Sequence, residues 1–265
     1  MMLHCDDMAT PIAPGLDNTI VPSPLLSHKP VRGWAIFVLL ATLAVPRGAW
    51  GQAAAADTFT RIDAVIVGLS VGLYWAPDVF GIEAGPPDCL PCDRASLPSF
   101  DRFSVAEVRP FWDDLSTVLL FGLAAATWLD LIVAEPGAME SRGSQVVASA
   151  ESAVLAVGVT VLLKEVVGRN RPVLYSDGAA GVADPAAQTR SWPSGHTSTA
   201  FALATSYVLS QSQKSTGVAA RVGVLGVAAA TGLLRVAAAR HFPSDVVSGA
   251  AVGIGSALLV HAIRF

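Results

Sequence analysis

Two histidines, one aspartate and three cations fall into three short clusters in the C-terminal half of the chain. They are Lys164 and Arg171 with Pro172, then Pro193-Ser194-Gly195-His196, then Arg235, His241 and Asp245. In the second cluster Pro193 suits the first turn of a helix, where a missing N–H costs nothing. Free amides at a helix N-terminus attract anions, and Gly195 lets an anion approach the main chain. His196 adds a proton donor. His241 and Asp245 are four apart, one helical turn, so the carboxylate is placed to fix the tautomer of the imidazole and stabilise its charged form. Lys164 and Arg171 share a face, ~10 Å apart along the axis, if their helix continues and Pro172 ends it. An anion cradle with an imidazole beside it has the makings of a phosphate site.

Each cluster also has a plainer reading. Lys164 and Arg171 read as basic residues snorkelling at the end of a membrane span. Ser194-Gly195 reads as a cap and turn with His196 at an interface. Ser244 or Asp245 reads as the cap of the last helix, with His241 a bystander. Capping and catalysis are compatible, so the last of these only dilutes the functional reading.

The elements that must position these residues are membrane helices. Hydrophobic residues make up 52% of the 265 and charged ones 14%, with a mean hydropathy of +0.54; soluble domains carry roughly 25% charged residues. The net charge of −4 argues against nucleic acid as a partner. Apolar stretches at 64–75 (weak), 115–134, 146–167, 197–209, 218–239 and 244–263 predict an all-α, integral-membrane bundle of about six helices. The clusters fall at helix ends on one side. Gly249, Ala250, Ala251, Gly253 and Gly255 give the last helix a small surface for close packing.

Residues 1–51 are expected to be a polar prefix followed by a signal-peptide-like segment: Lys29 and Arg32 precede an apolar run at 33–45, and small residues before Gln52 suit cleavage. A short anchor that stays is the alternative. Residues 52–265 then form the membrane domain, with its motif-bearing core at 144–263. A loop at 77–114 holds eight acidic residues against three arginines, and Lys214, Arg221 and Arg264 mark the opposite side as cytoplasmic. The acidic loop and the clusters are therefore expected outside. The stretches at 33–45 and 62–76 cannot both cross and remain. Either the first is cleaved and the second lies at the interface, or only the second spans; cleavage with a spanning second helix would turn the clusters inward. Cys89 and Cys92, a Cys-x-x-Cys in the acidic loop, are a disulfide candidate, since no second ligand pair supports a zinc site.

In order and spacing, Lys164-x6-Arg171-Pro172, Pro193-Ser194-Gly195-His196 and Arg235-x5-His241-x3-Asp245 resemble the tripartite signature of the type 2 phosphatidic acid phosphatase superfamily. That superfamily holds membrane lipid-phosphate phosphatases, soluble acid phosphatases and vanadium haloperoxidases. The likeness covers residues 164–245 and ten residue identities; Leu234 stands where the family usually has serine. The resemblance implies His241 as nucleophile, forming a phosphohistidine, Asp245 as its orienting partner, and His196 as acid to the leaving group. Lys164, Arg171, Ser194, Gly195 and Arg235 would bind the phosphate, with no metal or other cofactor. It implies a lipid phosphate as substrate (phosphatidic acid, phosphatidylglycerol phosphate, a polyprenyl diphosphate or lipid A), membrane lipids as partners, and a bacterial inner membrane with the site facing the periplasm. A vanadate-dependent haloperoxidase and a non-catalytic protein retaining the fold are the competing readings. Arg169 and Arg240 are extra cations, Arg240 being expected to face water. Asp130 and Glu151, inside apolar spans, are expected to bond between helices rather than to catalyse.

Overall fold

A computed structural model describes residues 59–133, 139–211 and 217–265. The prefix, the 33–45 run and the cleavage site before Gln52 lie outside the described residues. Those described are helical, without strands: α1 (Arg61–Phe80), α2 (Pro110–Val133), α3 (Met139–Val167), α4 (Gly195–Ser210), α5 (Val218–Ala237) and α6 (Pro243–Arg264). Five of the six are long and apolar enough to cross a membrane, α4 being the exception. The chain is a multi-pass membrane protein.

The 16-residue α4 is the axis of the bundle, packed by α2, α3, α5 and α6. Small residues make this possible. A Cβ on Gly249 would lie 2.6 Å from the Ser194 carbonyl oxygen, and one on Gly253 would lie 2.1 Å from that of Ser198. The α6 backbone therefore rests directly on α4, as small-residue seams allow in lipid. On the other side Leu120, Leu123, Ala153, Ala200, Leu203, Ala204 and Ala228 form one buried cluster from four helices.

Three boundaries differ from the sequence expectation. Helix α1 does not stop before Pro77: it runs on to Phe80 and ends at Gly81 in the left-handed region. Helix α2 starts at Pro110, so Asp113 lies in its first turn rather than in the acidic loop. Helix α5 stops at Ala237, and Ala239 takes a left-handed φ of 56°.

The reach of α1 settles how 62–76 lies. Near its start Asp63 bonds Arg264, at the end of α6. Beyond its other end Ala84 N donates to Glu165, at the end of α3 (3.2 Å). Helix α1 thus runs the full height of the bundle, which overturns an interfacial placement. Residues 59 and 265 share one face, opposite the 81–109, 168–194 and 238–242 loops.

Polar residues within the spans are tied across helices. Asp130 accepts from Tyr207 Oη and Gln211 Nε2, each at 2.9 Å. Glu151 accepts from Arg264 Nη1 at 2.9 Å. Because Arg264 is spent on Asp63 and Glu151, it is not a free charge for the positive-inside rule.

Candidate active site

Helix α3 ends because Gly168 turns left-handed (φ 59°), its N–H closing onto the Lys164 carbonyl at 3.1 Å. The expectation of one helical face for Lys164 and Arg171 is corrected here: Arg171 is extended (φ −79°, ψ 159°), and Pro172 opens a 3-10 turn instead of closing α3. Convergence comes from the loop folding back on itself. Arg171 N bonds the Gln188 carbonyl (2.8 Å) and Ser191 N bonds that of Arg169 (2.9 Å). Lys164 Nζ reaches the Arg190 carbonyl at 2.6 Å, and Arg190 pairs with Glu165.

Pro193 sits just outside α4 rather than at its first position; Ser194 is the N-cap and Gly195 the first helical residue. Ser194 is held by its N–H on the Asp245 carbonyl (3.0 Å) and by Thr197 Oγ1 donating to its Oγ (2.9 Å). His196 Nε2 meets Thr117 Oγ1 of α2 at 3.1 Å. Gly195 is close to Lys164: its Cβ would lie 3.9 Å from Cε.

After α5 the chain turns sharply, Arg240 N and His241 N both bonding the Arg235 carbonyl (3.1 and 3.3 Å). A left-handed alanine costs about 1–2 kcal/mol, and this one is buried between Arg235 and His241. Such local strain is characteristic of functional turns. Arg235 donates to Asp113 and to Ser116 Oγ (3.0 Å). Arg240 binds the same Asp113 (Nε 2.8 Å, Nη2 2.6 Å), so it is ion-paired rather than directed to water.

His241 Nδ1 lies 3.6 Å from Asp245 Oδ2, both side chains being buried. That is beyond a hydrogen bond, although such contacts often tighten once substrate is bound. Meanwhile Asp245 Oδ2 accepts from Ser191 Oγ (2.6 Å) and Phe242 N (2.8 Å), so it also caps α6. Its other oxygen is bound by Arg169 Nη1 at 2.5 Å. The same guanidinium donates to Ser244 Oγ (2.6 Å) and, through Nη2, to Asp101 Oδ2 (2.8 Å), and lies 4.3 Å over the Phe242 ring. Asp101 in turn accepts from Ser244 N and Oγ. Thr117, Asp113, Asp101, Ser191 and the bridging role of Arg169 were missed from sequence.

The imidazoles and cations of the three clusters act on one another. Burial pushes the His241 imidazole well below its usual 6.5, and Lys164, Arg235, Arg171 and His196 add to it. Burial takes His196 down to about 3, with Arg235, Lys164 and Arg171 acting the same way and Asp113 opposing. The same three cations therefore bear on both rings, and His196 bears on His241. Arg171 Nε and Arg235 Nε are buried without hydrogen-bond partners, as is His241 Nδ1, which faces Asp245 instead. Buried donors beside converging cations fit an anion rich in acceptor oxygens. The Cys89–Cys92 disulfide packs nearby, under Val173 and Leu174.

Residues 145–265, which contain all three clusters, match the family model described as PAP2 superfamily. No curated protein and no solved structure matches the chain. The superfamily supports phosphatase-type activity on phosphate esters, and its membrane helices fit a lipid substrate. The segment that folds around both histidines is thus similar to the PAP2 superfamily, in keeping with the likeness of its three clusters to the type 2 phosphatidic acid phosphatases.

Proposed function

We propose that the chain hydrolyses a lipid phosphate, of the phosphatidic acid, phosphatidylglycerol phosphate, polyprenyl diphosphate or lipid A type, through a phosphohistidine on His241 and without a metal. The observation that carries this reading is that Lys164, Arg171 and Arg235 bear together on both imidazoles. Three cations around one phosphoryl group stabilise the charge on its equatorial oxygens, the largest contribution available to such a reaction.

His241 faces Asp245 with Nδ1, which leaves Nε2 to attack phosphorus. A P–N bond forms as the P–O bond to the leaving group breaks, and His196 gives its proton to the departing oxygen. Water then attacks the phosphohistidine, His196 takes a proton from it, the P–N bond breaks and inorganic phosphate leaves. Burial first, and then the cations, hold His241 neutral, as a nucleophile requires. Burial and the same cations also oppose a proton on His196, and the negative charge of a bound phosphate offsets the cations' part.

The catalytic domain in this reading is 52–265, with the motifs in 144–263 and the acidic loop over the site. The protein would lie in a bacterial inner membrane with the site facing the periplasm. Because α1 spans, a periplasmic site goes with a cytoplasmic residue 59. Cleavage before Gln52 would reverse that.

Release of inorganic phosphate from a panel of these purified lipid phosphates tests the reading. The full chain should turn over at least one of them without added metal; release from none would contradict it.

A further inference from the structure

An apolar groove of about 490 Å3 opens between α2 and α5, with Tyr207 of α4 at one end. Val118, Gly122, Ala126 and Asp130 line one wall, Gly223 and Val227 the other. Its head adjoins the candidate site: Thr117, which meets His196, and Ser116, which bonds Arg235, immediately precede Val118. Its foot is polar, where Tyr207 and Gln211 hold Asp130. From Val118 to Asp130 the helix rises ~18 Å, against ~15 Å for half of a ~30 Å hydrocarbon core. The groove is about as long as one leaflet is thick, and it runs along α2 to within one turn of the helix's far end.

Its glycines differ from those that let helices touch. A Cβ on Gly122 or Gly223 would meet nothing within 4 Å, whereas one on Gly249 or Gly253 would strike backbone. Packing therefore does not require glycine at 122 and 223; having it there keeps both walls bare.

We propose that this groove holds one hydrocarbon chain of the lipid phosphate, with its phosphate between the histidines, and that Gly122 and Gly223 determine which chains are accepted. This rests on the lipid-phosphatase reading. The chain would lie along an apolar wall from a head group fixed at one face, and the Asp130 cluster would limit its length.

The test compares Gly122→Leu and Gly223→Leu with the unaltered full chain on two substrates, dioleoyl phosphatidic acid in mixed micelles and soluble para-nitrophenyl phosphate. Filling the groove should lower kcat/KM for the lipid about tenfold or more and leave the soluble ester within about twofold. An unchanged lipid rate, or a parallel fall on both substrates, would overturn the proposal. If the unaltered chain hydrolyses neither substrate, the phosphatase reading itself fails. A second measurement needs no variant: phosphatidic acid carrying a diazirine midway along one chain is photolysed with the unaltered protein in phosphatidylcholine vesicles. Labelling on α2 and α5 that excess phosphatidic acid suppresses and extra phosphatidylcholine does not supports the groove. Labelling elsewhere, or equal suppression by both lipids, refutes it.

Discussion

Replacing Arg169 by alanine strips the cation from two carboxylates at once. The Asp101 and Asp245 side chains are each 0% exposed, and Arg169 is 21% exposed. Breaking a buried pair costs about 3–5 kcal/mol. Each carboxylate keeps other donors, Ser244 N and Oγ on Asp101, Ser191 Oγ and Phe242 N on Asp245. The low end, ~3 kcal/mol, therefore applies. If that loss falls on the placement of Asp245, kcat drops about 100-fold. The pH profile separates placement from simple loss of stability. His241 is held well below 6.5 by burial first and then by the site's cations, so the acid limb of kcat/KM should lie below 6.5. Removing Arg169 leaves the Asp245 charge uncompensated, 3.6 Å from Nδ1. That favours imidazolium, raises the pKa and moves the acid limb up, so activity is lost at a higher pH. Arg169→Lys should fall in between, because one ammonium cannot span both carboxylates. The assay is kcat and kcat/KM against pH on a soluble ester, with thermal unfolding in detergent alongside. A variant that is merely less stable, with its acid limb unmoved and its kcat intact, would refute the reasoning.

Two further outcomes test the frame around the site. Gly253→Ala would press its Cβ onto the Ser198 carbonyl oxygen and the Ala202 nitrogen, backbone atoms with little freedom to give way. It should cost at least about 1–3 kcal/mol in thermal unfolding, while Gly255→Ala, facing open space, stays within about 0.5 kcal/mol; equal effects would mean α6 does not rest on α4. Labelling intact cells with a membrane-impermeant maleimide, after reduction and in a Cys5→Ser background, should modify Cys89 and Cys92. Labelling only after permeabilisation would put the site in the cytoplasm.

The three clusters were legible because each falls at a helix end, where a proline, a glycine or a break in apolar period marks the position. What joins them was not. Asp101 lies in an aperiodic loop, and nothing in its neighbours foretells a guanidinium 68 residues away. Asp113 was hidden by Asp114 beside it, the pair reading as acidic loop, yet the first turn of a helix favours a carboxylate. Arg240 looked like a surface cation for the same reason: its partner is on α2. The convergence of Lys164 and Arg171 was expected from helical spacing and arises instead from a glycine-terminated helix and a returning loop. Pro77 seemed to end α1, but a proline one turn from a left-handed glycine removes a single hydrogen bond and leaves the last turn in place.

In the proposed reaction one phosphorus is passed to His241 between shared cations. Rapid-quench mass spectrometry of the full chain during turnover of a lipid phosphate tests it most directly. The account predicts an acid-labile phosphoryl group on His241, lost in His241→Ala together with at least about 10⁴-fold of activity, with the variant still folded. Turnover that persists in His241→Ala, or a phosphoryl group found on another residue, would contradict it.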